Sequence, residues 1–403
     1  MSVSSPAASA TPAVVRPLTA LLLLWLAGAA LRLTILAVPP VIPLIHNDLH
    51  LSQTQVGILS GLPMVLFAAA AIAGSLMIAR LGAVTALLAG LALCAAGSVL
   101  RGVGPHIAML YFGTIVTAFG VAVMQPSLPP LVRAWVPRRI GFATAVYTNG
   151  LLVGEILPAA LTIPLVLPML HQSWQWSFVF WAVPVAIIAA IIMTFAPKSR
   201  IAASAASAPA QQWMPDFKNP LIWRIGLLLG SANSTYFTLN GFLPDYLIHT
   251  GQADLINSAL SANNIGQLPA SFLLLLSADR LVRTVWSYVV CAVMCCVGLL
   301  MIVLLGGAWV IAGAAVLGCF VAAVLVLVLA LPPLISAPGD VHRVSAGMFV
   351  ISYSIAVAVP VVSGVLWDLT AWPTAPFIPM GFCMAAIIGL APTIVLREKS
   401  AGA

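Results

Sequence analysis

The sequence predicts an all-α membrane protein whose twelve transmembrane helices form two pseudo-symmetric bundles of six. Three observations carry that expectation. With 62% apolar and 6% charged residues in a chain of 403, there are too few charges to cover a water-soluble globule of this size. Apolar runs of about 20 residues, the length a helix needs to cross a bilayer, recur to the end of the chain, and the period-two alternation of a membrane barrel is missing. The basic residues, finally, gather at alternate ends of those runs, as Lys and Arg do when they stay on the cytoplasmic side.

Taken in order, residues 1–17 are small and polar and are expected to be a disordered cytoplasmic segment. Spans follow near 18–45, 56–78, 83–100, 107–132, 140–170 and 174–195, and, after a break, near 221–248, 255–276, 286–305, 308–331, 344–366 and 377–396. The Ala-, Ser- and Pro-rich stretch 197–220 is then a cytoplasmic linker between an N-terminal bundle (18–196) and a C-terminal bundle (221–396), with 397–403 as a cytoplasmic tail. Of the sixteen Lys and Arg residues, this count puts fourteen on the cytoplasmic side, among them Arg80, Arg133, Arg138, Arg139, Arg280 and Arg283. Arg101 falls at the opposite side, and Arg32 alone lies inside a span. The net charge of +7 is therefore topological, and no basic aromatic patch points to nucleic acid.

A weak internal repeat relates the two halves. Leu128-Pro129-Pro130-Leu131 ends the fourth span and Leu331-Pro332-Pro333-Leu334 ends the tenth. The six cysteines sit in apolar spans without disulfide or zinc spacing and read as small packing residues. No HExxH and no GxxxxGK[ST] motif is present, so no metal or other cofactor is expected and any driving energy must come from a gradient.

This architecture resembles the major facilitator superfamily, in which two six-helix halves rock about a central site. That superfamily carries GxxxDRxG between its second and third helices. The corresponding stretch here, Ser75 to Gly82, keeps Arg80 and the last glycine but has Ala79 in the aspartate position, whereas the C-terminal counterpart keeps Asp279-Arg280. The resemblance implies a conformational latch at Arg80, Asp279 and Arg280, with the bland alternative for Arg80 being a topological charge alone.

Ala30-Leu31-Arg32 further resembles the Asn-Leu-Arg signature of the cyanate and nitroimidazole transporter family. Gly120 through Gln125 to Pro129 and Arg133 resembles that family's fourth-span segment, and Asn233-Ser234-Thr235-Tyr236 with Leu243-Pro244 its seventh. The resemblance implies transport of small anions or small polar organic molecules, with the first, fourth, seventh and tenth helices lining the cavity.

The residues point the same way. A guanidinium at the depth of Arg32 costs roughly 2.5–3.5 kcal/mol on insertion scales and persists only beside water, an acidic partner or an anionic ligand. The only acidic residue deep in a span is Glu155, on a helical face shared with Tyr147. Either the two charges form a structural ion pair, or Glu155 takes a proton when an anionic substrate engages Arg32. Asn233, Tyr236 and Asn240 share one face of the seventh span, where they serve as helix-to-helix glue or as ligand contacts. The expected substrate-binding set is Arg32, Gln125, Tyr147, Asn233, Tyr236 and Asn240, with Glu155 as the proton-coupling residue.

The expected function is a secondary transporter of a small anion in the bacterial inner membrane, coupled to protons, with both termini cytoplasmic. Its partners are then the substrate, the proton and the lipid bilayer, and the chain is expected to act as a monomer. The alternatives are an exporter of neutral or hydrophobic drugs such as nitroimidazoles and, from another class, a membrane-embedded lipid-group transferase. The transferase would need clustered carboxylates, His or basic residues in the loops at one membrane face, and the exterior loops are too short and sparse for that.

Overall fold

The computed structural model describes residues 17–51, 53–104, 106–197, 212–337 and 339–401. Residues 1–16 of the segment expected to be disordered and most of the linker, including Lys198 and Arg200, lie outside these residues, whereas Pro17 begins the first helix. No strand occurs among the described residues, and helices make twelve passages.

The first passage is α1 (Pro17–Leu33) followed by α2 (Ile42–Leu49), and the second and third are α3 (Gln53–Leu81) and α4 (Ala83–Gly102). The fourth joins α5 (Ile107–Met124) to α6 (Leu128–Trp135) through a 3-10 turn at Gln125–Ser127. The fifth joins α7 (Ile140–Leu161) to α8 (Leu167–Met169), and the sixth is α9 (Trp174–Phe195). The second bundle comprises α10 (Pro220–His249), α11 (Ile256–Leu281), α12 (Val285–Leu300), α13 (Ala308–Leu329) with α14 (Leu331–Ile335), α15 (Val341–Thr370) and α16 (Ile378–Ala401). Twelve passages return the described chain to the end of the bundle from which it started, the end that carries the basic loops.

Among the described residues, nine helices are long and apolar enough to cross a membrane. The broken first passage, α10 and α11 are outside that set. The last two carry Asn233, Asn240, Asn263, Asn264 and Gln267, whose amides lower the mean hydropathy of helices that the neighbours nonetheless enclose.

The first passage departs from the expectation of one continuous span. Helix α1 stops at Leu33, residues 34–38 turn, and Pro39–Val41 form a 3-10 turn before α2. Pro39, Pro40 and Pro43 lack the N–H groups that a continuing helix needs, and each ring crowds the preceding turn. The carbonyl of Arg32 accepts from both Ile35 N (3.1 Å) and Leu36 N (2.9 Å). Arg32 thus lies in the last turn of a helix, where the aligned peptide dipoles leave partial negative charge and favour a cation.

Helix α1 packs on α7, and a Cβ added at Gly28, Gly150 or Gly154 would run into the backbone carbonyl of Tyr147, Trp25 or Ala29 respectively. In a membrane, where lipid is as apolar as a side chain, such close backbone approach is a main source of helix association. It also sets the side chains of Arg32, on α1, and Glu155, on α7, at a fixed separation. The bundles meet where α3 packs on α15 and α7 on α11.

Candidate functional site

The end of α1 and the middle of α7, held together by those glycines, bring Arg32 Nε within 3.2 Å of Glu155 Oε1. Their side chains are 12% and 16% exposed. The contact is a close ion pair without a directed hydrogen bond, since Arg32 Nε has no hydrogen-bond partner. The pairing therefore leaves donor capacity on the guanidinium for something else.

Helix α15 supplies the second wall. Gln125, at the 3-10 turn in the fourth passage, donates from Nε2 to the Tyr353 hydroxyl (2.7 Å), and that hydroxyl also meets Arg32. Tyr353 is held between Phe67, edge-on at 5.1 Å between ring centroids, and Phe349, stacked at 6.2 Å. Gln125 Oε1 is buried without a hydrogen-bond partner. A buried orphan acceptor costs about 1–3 kcal/mol, so the site holds an unmet demand for a donor.

These groups surround a cavity of about 20 Å³, lined by Arg32, Gln125, Tyr147, Asn233 and Tyr353 together with Leu31, Leu128, Leu151, Leu229, Leu325, Leu329 and Phe349. That volume holds about one water, so the conformation is closed around the arginine. A larger ligand requires the bundles to part.

The structure thus brings four of the expected substrate-binding residues, Arg32, Gln125, Tyr147 and Asn233, to one cavity. Asn233 Nδ2 donates to Ser352 Oγ on α15 (2.9 Å). Tyr236 stands close enough to Arg32 and Glu155 to feel both charges, and its hydroxyl donates to Asn264 Oδ1 on α11 (2.7 Å). Asn240 instead turns back on its own helix, donating to the Tyr236 carbonyl (2.8 Å). Tyr353 escaped the sequence because tyrosine is common in spans. Its neighbours Ser352 and Ser354 made three consecutive hydroxyl side chains in an apolar run, which was the available signal.

Arg101 also escaped it. Placed by sequence at the far loop, it is 0% exposed. Its Nη1 donates to the Thr34 carbonyl (2.8 Å), just past the end of α1, and its guanidinium lies 5.6 Å from the Phe178 ring centroid.

At the basic end the bundles touch. Asp279 Oδ1 accepts from Phe142 N at the start of α7 (3.1 Å), and Oδ2 lies 3.6 Å from Arg139 Nε. Arg133 donates from Nη1 to the carbonyls of Pro333 (2.9 Å) and Ser336. On the other side of the pseudo-symmetry, where Ala79 replaces the aspartate, Ser75 Oγ donates to the Trp213 carbonyl instead (2.6 Å). Arg80 and Arg280 are exposed.

A family model described as Major Facilitator Superfamily matches residues 24–253 of the chain. An uncharacterized transporter of Bacillus subtilis (strain 168), YycB, is 27% identical over 254 residues, covering 62% of this chain and 61% of its own length. The cyanate transport protein CynX of Escherichia coli (strain K12) is 26% identical over 257 residues, or 63% and 65% of the two chains. A 2-nitroimidazole transporter of the same organism is 26% identical over 227 residues, 56% of this chain and 57% of that one. The matches span about three fifths of the length of these relatives. Among solved structures, the human organic anion transporter MFSD10 superposes with a TM-score of 0.71 at 16% identity, covering 93% of this chain and 99% of that one. FucP in the outward conformation gives a TM-score of 0.69 at 16% identity, with 93% and 98% covered. At these identities the likeness establishes the twelve-passage, two-bundle fold and nothing further.

Proposed function

Since the chain belongs to the Major Facilitator Superfamily, we propose that it is a secondary transporter moving a small anion by alternating access, coupled to protons. The observation that carries this is the Arg32–Glu155 contact at the edge of a cavity formed by both bundles. An arriving anion takes the place of the Glu155 carboxylate at Arg32, with Gln125 Nε2 and the Tyr353 hydroxyl as further donors. Glu155, released from its partner inside the bundle, then takes a proton, so the closed site stays near neutral. Names given to the relatives, a cyanate transport protein among them, agree with a small anionic substrate.

Under this proposal the basic end is cytoplasmic, following the bias of Lys and Arg, and the membrane is a bacterial inner membrane. One chain carries both bundles and acts as a monomer. The latch is the Asp279 contact with α7, made while the basic end is closed, with Arg80 and Arg280 beside the two equivalent loops.

A second reading is favoured by the cavity wall, which apart from the polar groups consists of leucines and Phe349. Such a wall also suits a neutral, flat compound, and one relative is named a 2-nitroimidazole transporter. A thermal-shift panel on purified protein separates the two, using cyanate, nitrate and small carboxylates against 2-nitroimidazole, on wild type and Arg32→Ala. Ligand at 100 times its Kd stabilises by about 2.7 kcal/mol. Stabilisation by an anion that disappears in Arg32→Ala supports anion transport. Stabilisation by 2-nitroimidazole alone, equal in both proteins, transfers the assignment to the neutral substrate.

A further inference from the structure

A second cavity is larger than the central one. It lies at the basic end, has a volume of about 460 Å³, and is walled by both bundles. Arg133, Arg138 and Ile140 come from the first bundle, and Asp279, Arg283 and Pro333 from the second. Its size falls among small-molecule sites, which run about 300–1,000 Å³, and is more than a lone inorganic ion needs.

Three guanidinium groups face this space against one carboxylate. That carboxylate, Asp279, is already engaged by Phe142 N and Arg139. Keeping basic residues on one side of a membrane requires them only to stand in the loops. It gives no reason for arginines of two bundles to converge on a shared cavity, where like charges repel. Arg133 is also anchored through Nη1 by two carbonyls of the opposite bundle, so its head group is fixed rather than free to swing away. Arginine forks match phosphate oxygens in geometry as well as charge.

We propose that this cavity is a second ligand site, distinct from the central one, that binds a phosphate-bearing group across the two bundles and thereby holds the basic end closed. Because its walls belong to different bundles, a ligand bound to both prefers the state in which they are together and shifts the population towards it by its differential affinity. The phosphate comes from a soluble oligophosphate or from the head group of an anionic lipid, since basic pockets between helices at the cytoplasmic face take such head groups. Binding rests on the cavity alone. Its consequence, slower turnover, rests on the transport proposal above.

The test uses full-length protein in two nanodisc compositions, phosphatidylcholine alone and an equal mixture with phosphatidylglycerol, at constant ionic strength. The probe in the first is inorganic pyrophosphate. In the second, the lipid is the probe. Melting temperature and pyrophosphate titration are read for wild type, Arg138→Gln and Arg138→Gln/Arg283→Gln. A rise in wild-type Tm with pyrophosphate, with an apparent Kd at least about tenfold weaker in the double variant, supports the site with a soluble ligand. A rise in phosphatidylglycerol alone, lost in the double variant, supports it with a lipid ligand. Should the double variant fail to fold, exposed Arg138→Gln alone must still weaken the response, by about threefold or more. No rise in either arm, or variants that respond as wild type does, overturns the proposal. Neither arm contains the transported substrate, so failure here leaves the central-site assignment standing, and failure of the anion panel leaves this site standing.

Discussion

Two arginines lie inside this helical assembly, and their surroundings differ in kind. Arg32 keeps a little exposure, touches a carboxylate without a directed hydrogen bond, and shares a cavity with an amide and a tyrosine from different helices. Arg101 is fully buried, donates to a backbone carbonyl and lies by an aromatic ring, with no acidic side chain paired to it among the described residues. Under the proposed function the first arrangement is exchanged for a ligand, a mobile anion taking over what Glu155 does at Arg32. The second has no such exchange open to it, because its partner, the Thr34 carbonyl, belongs to the backbone. Burial alone therefore does not distinguish the two arginines. What separates the two is whether the partner is replaceable.

The sharpest way to break the comparison is to remove each charge in turn. Arg32→Ala should lower anion binding at least about 30-fold, since truncating one member of a buried charge pair costs 2–5 kcal/mol. Arg101→Met, which preserves volume, should retain uptake in reconstituted vesicles within a few-fold. Equal loss in both, with folded protein, would erase the distinction. Next comes the spacing that makes the Arg32 site. Gly154→Val puts methyl groups where the Ala29 backbone stands, and overpacking of this kind should destabilise by about 1–3 kcal/mol or more in thermal melts.

Glu155→Gln sharpens the comparison by keeping shape and removing the replaceable charge. Anion binding should persist or tighten, by up to about tenfold, corresponding to 1.4 kcal/mol. The pH dependence of uptake should flatten, and an unchanged profile would locate the titrating group elsewhere. The smallest effect is expected for a third arginine, Arg139, paired with Asp279; their side chains are 59% and 39% exposed. Asp279→Asn removes a bridge worth about 0–1 kcal/mol in water, so melting should hardly change. Its effect should appear instead in how readily the basic end opens, read by cysteine labelling between the bundles.

The fold was legible because bilayer thickness and charge bias act on whole segments. The expected span 174–195 coincides with α9, and 83–100 falls two residues short of α4. The first span was misread as continuous because hydropathy does not register Pro39, Pro40 and Pro43 as breaks, though their chemistry does. At the site, Arg32 and Glu155 stood out because charges in apolar runs are rare, yet their separation of 3.2 Å depends on glycine contacts between helices far apart in sequence. Tyr353 was illegible for the opposite reason, since its partners Gln125 and Arg32 lie on two other passages. Asn240 shows the limit of helical-face arguments. It has the right register, and its amide is nonetheless spent on its own backbone.

The polarity of α10 and α11 bears on how the chain enters the membrane at all. Neither is among the helices apolar enough to cross by length and composition, so each alone is a weak substrate for insertion machinery that partitions segments one at a time. The two are consecutive in the chain, and the Tyr236 hydroxyl of the first has Asn264 of the second as its acceptor. Biogenesis is therefore expected to pass through a stage at which the seventh passage waits for the eighth. A reporter placed at the 250–252 turn should stay on the basic side of the membrane when the nascent chain ends just beyond it, and reach the far side once the chain extends past 281.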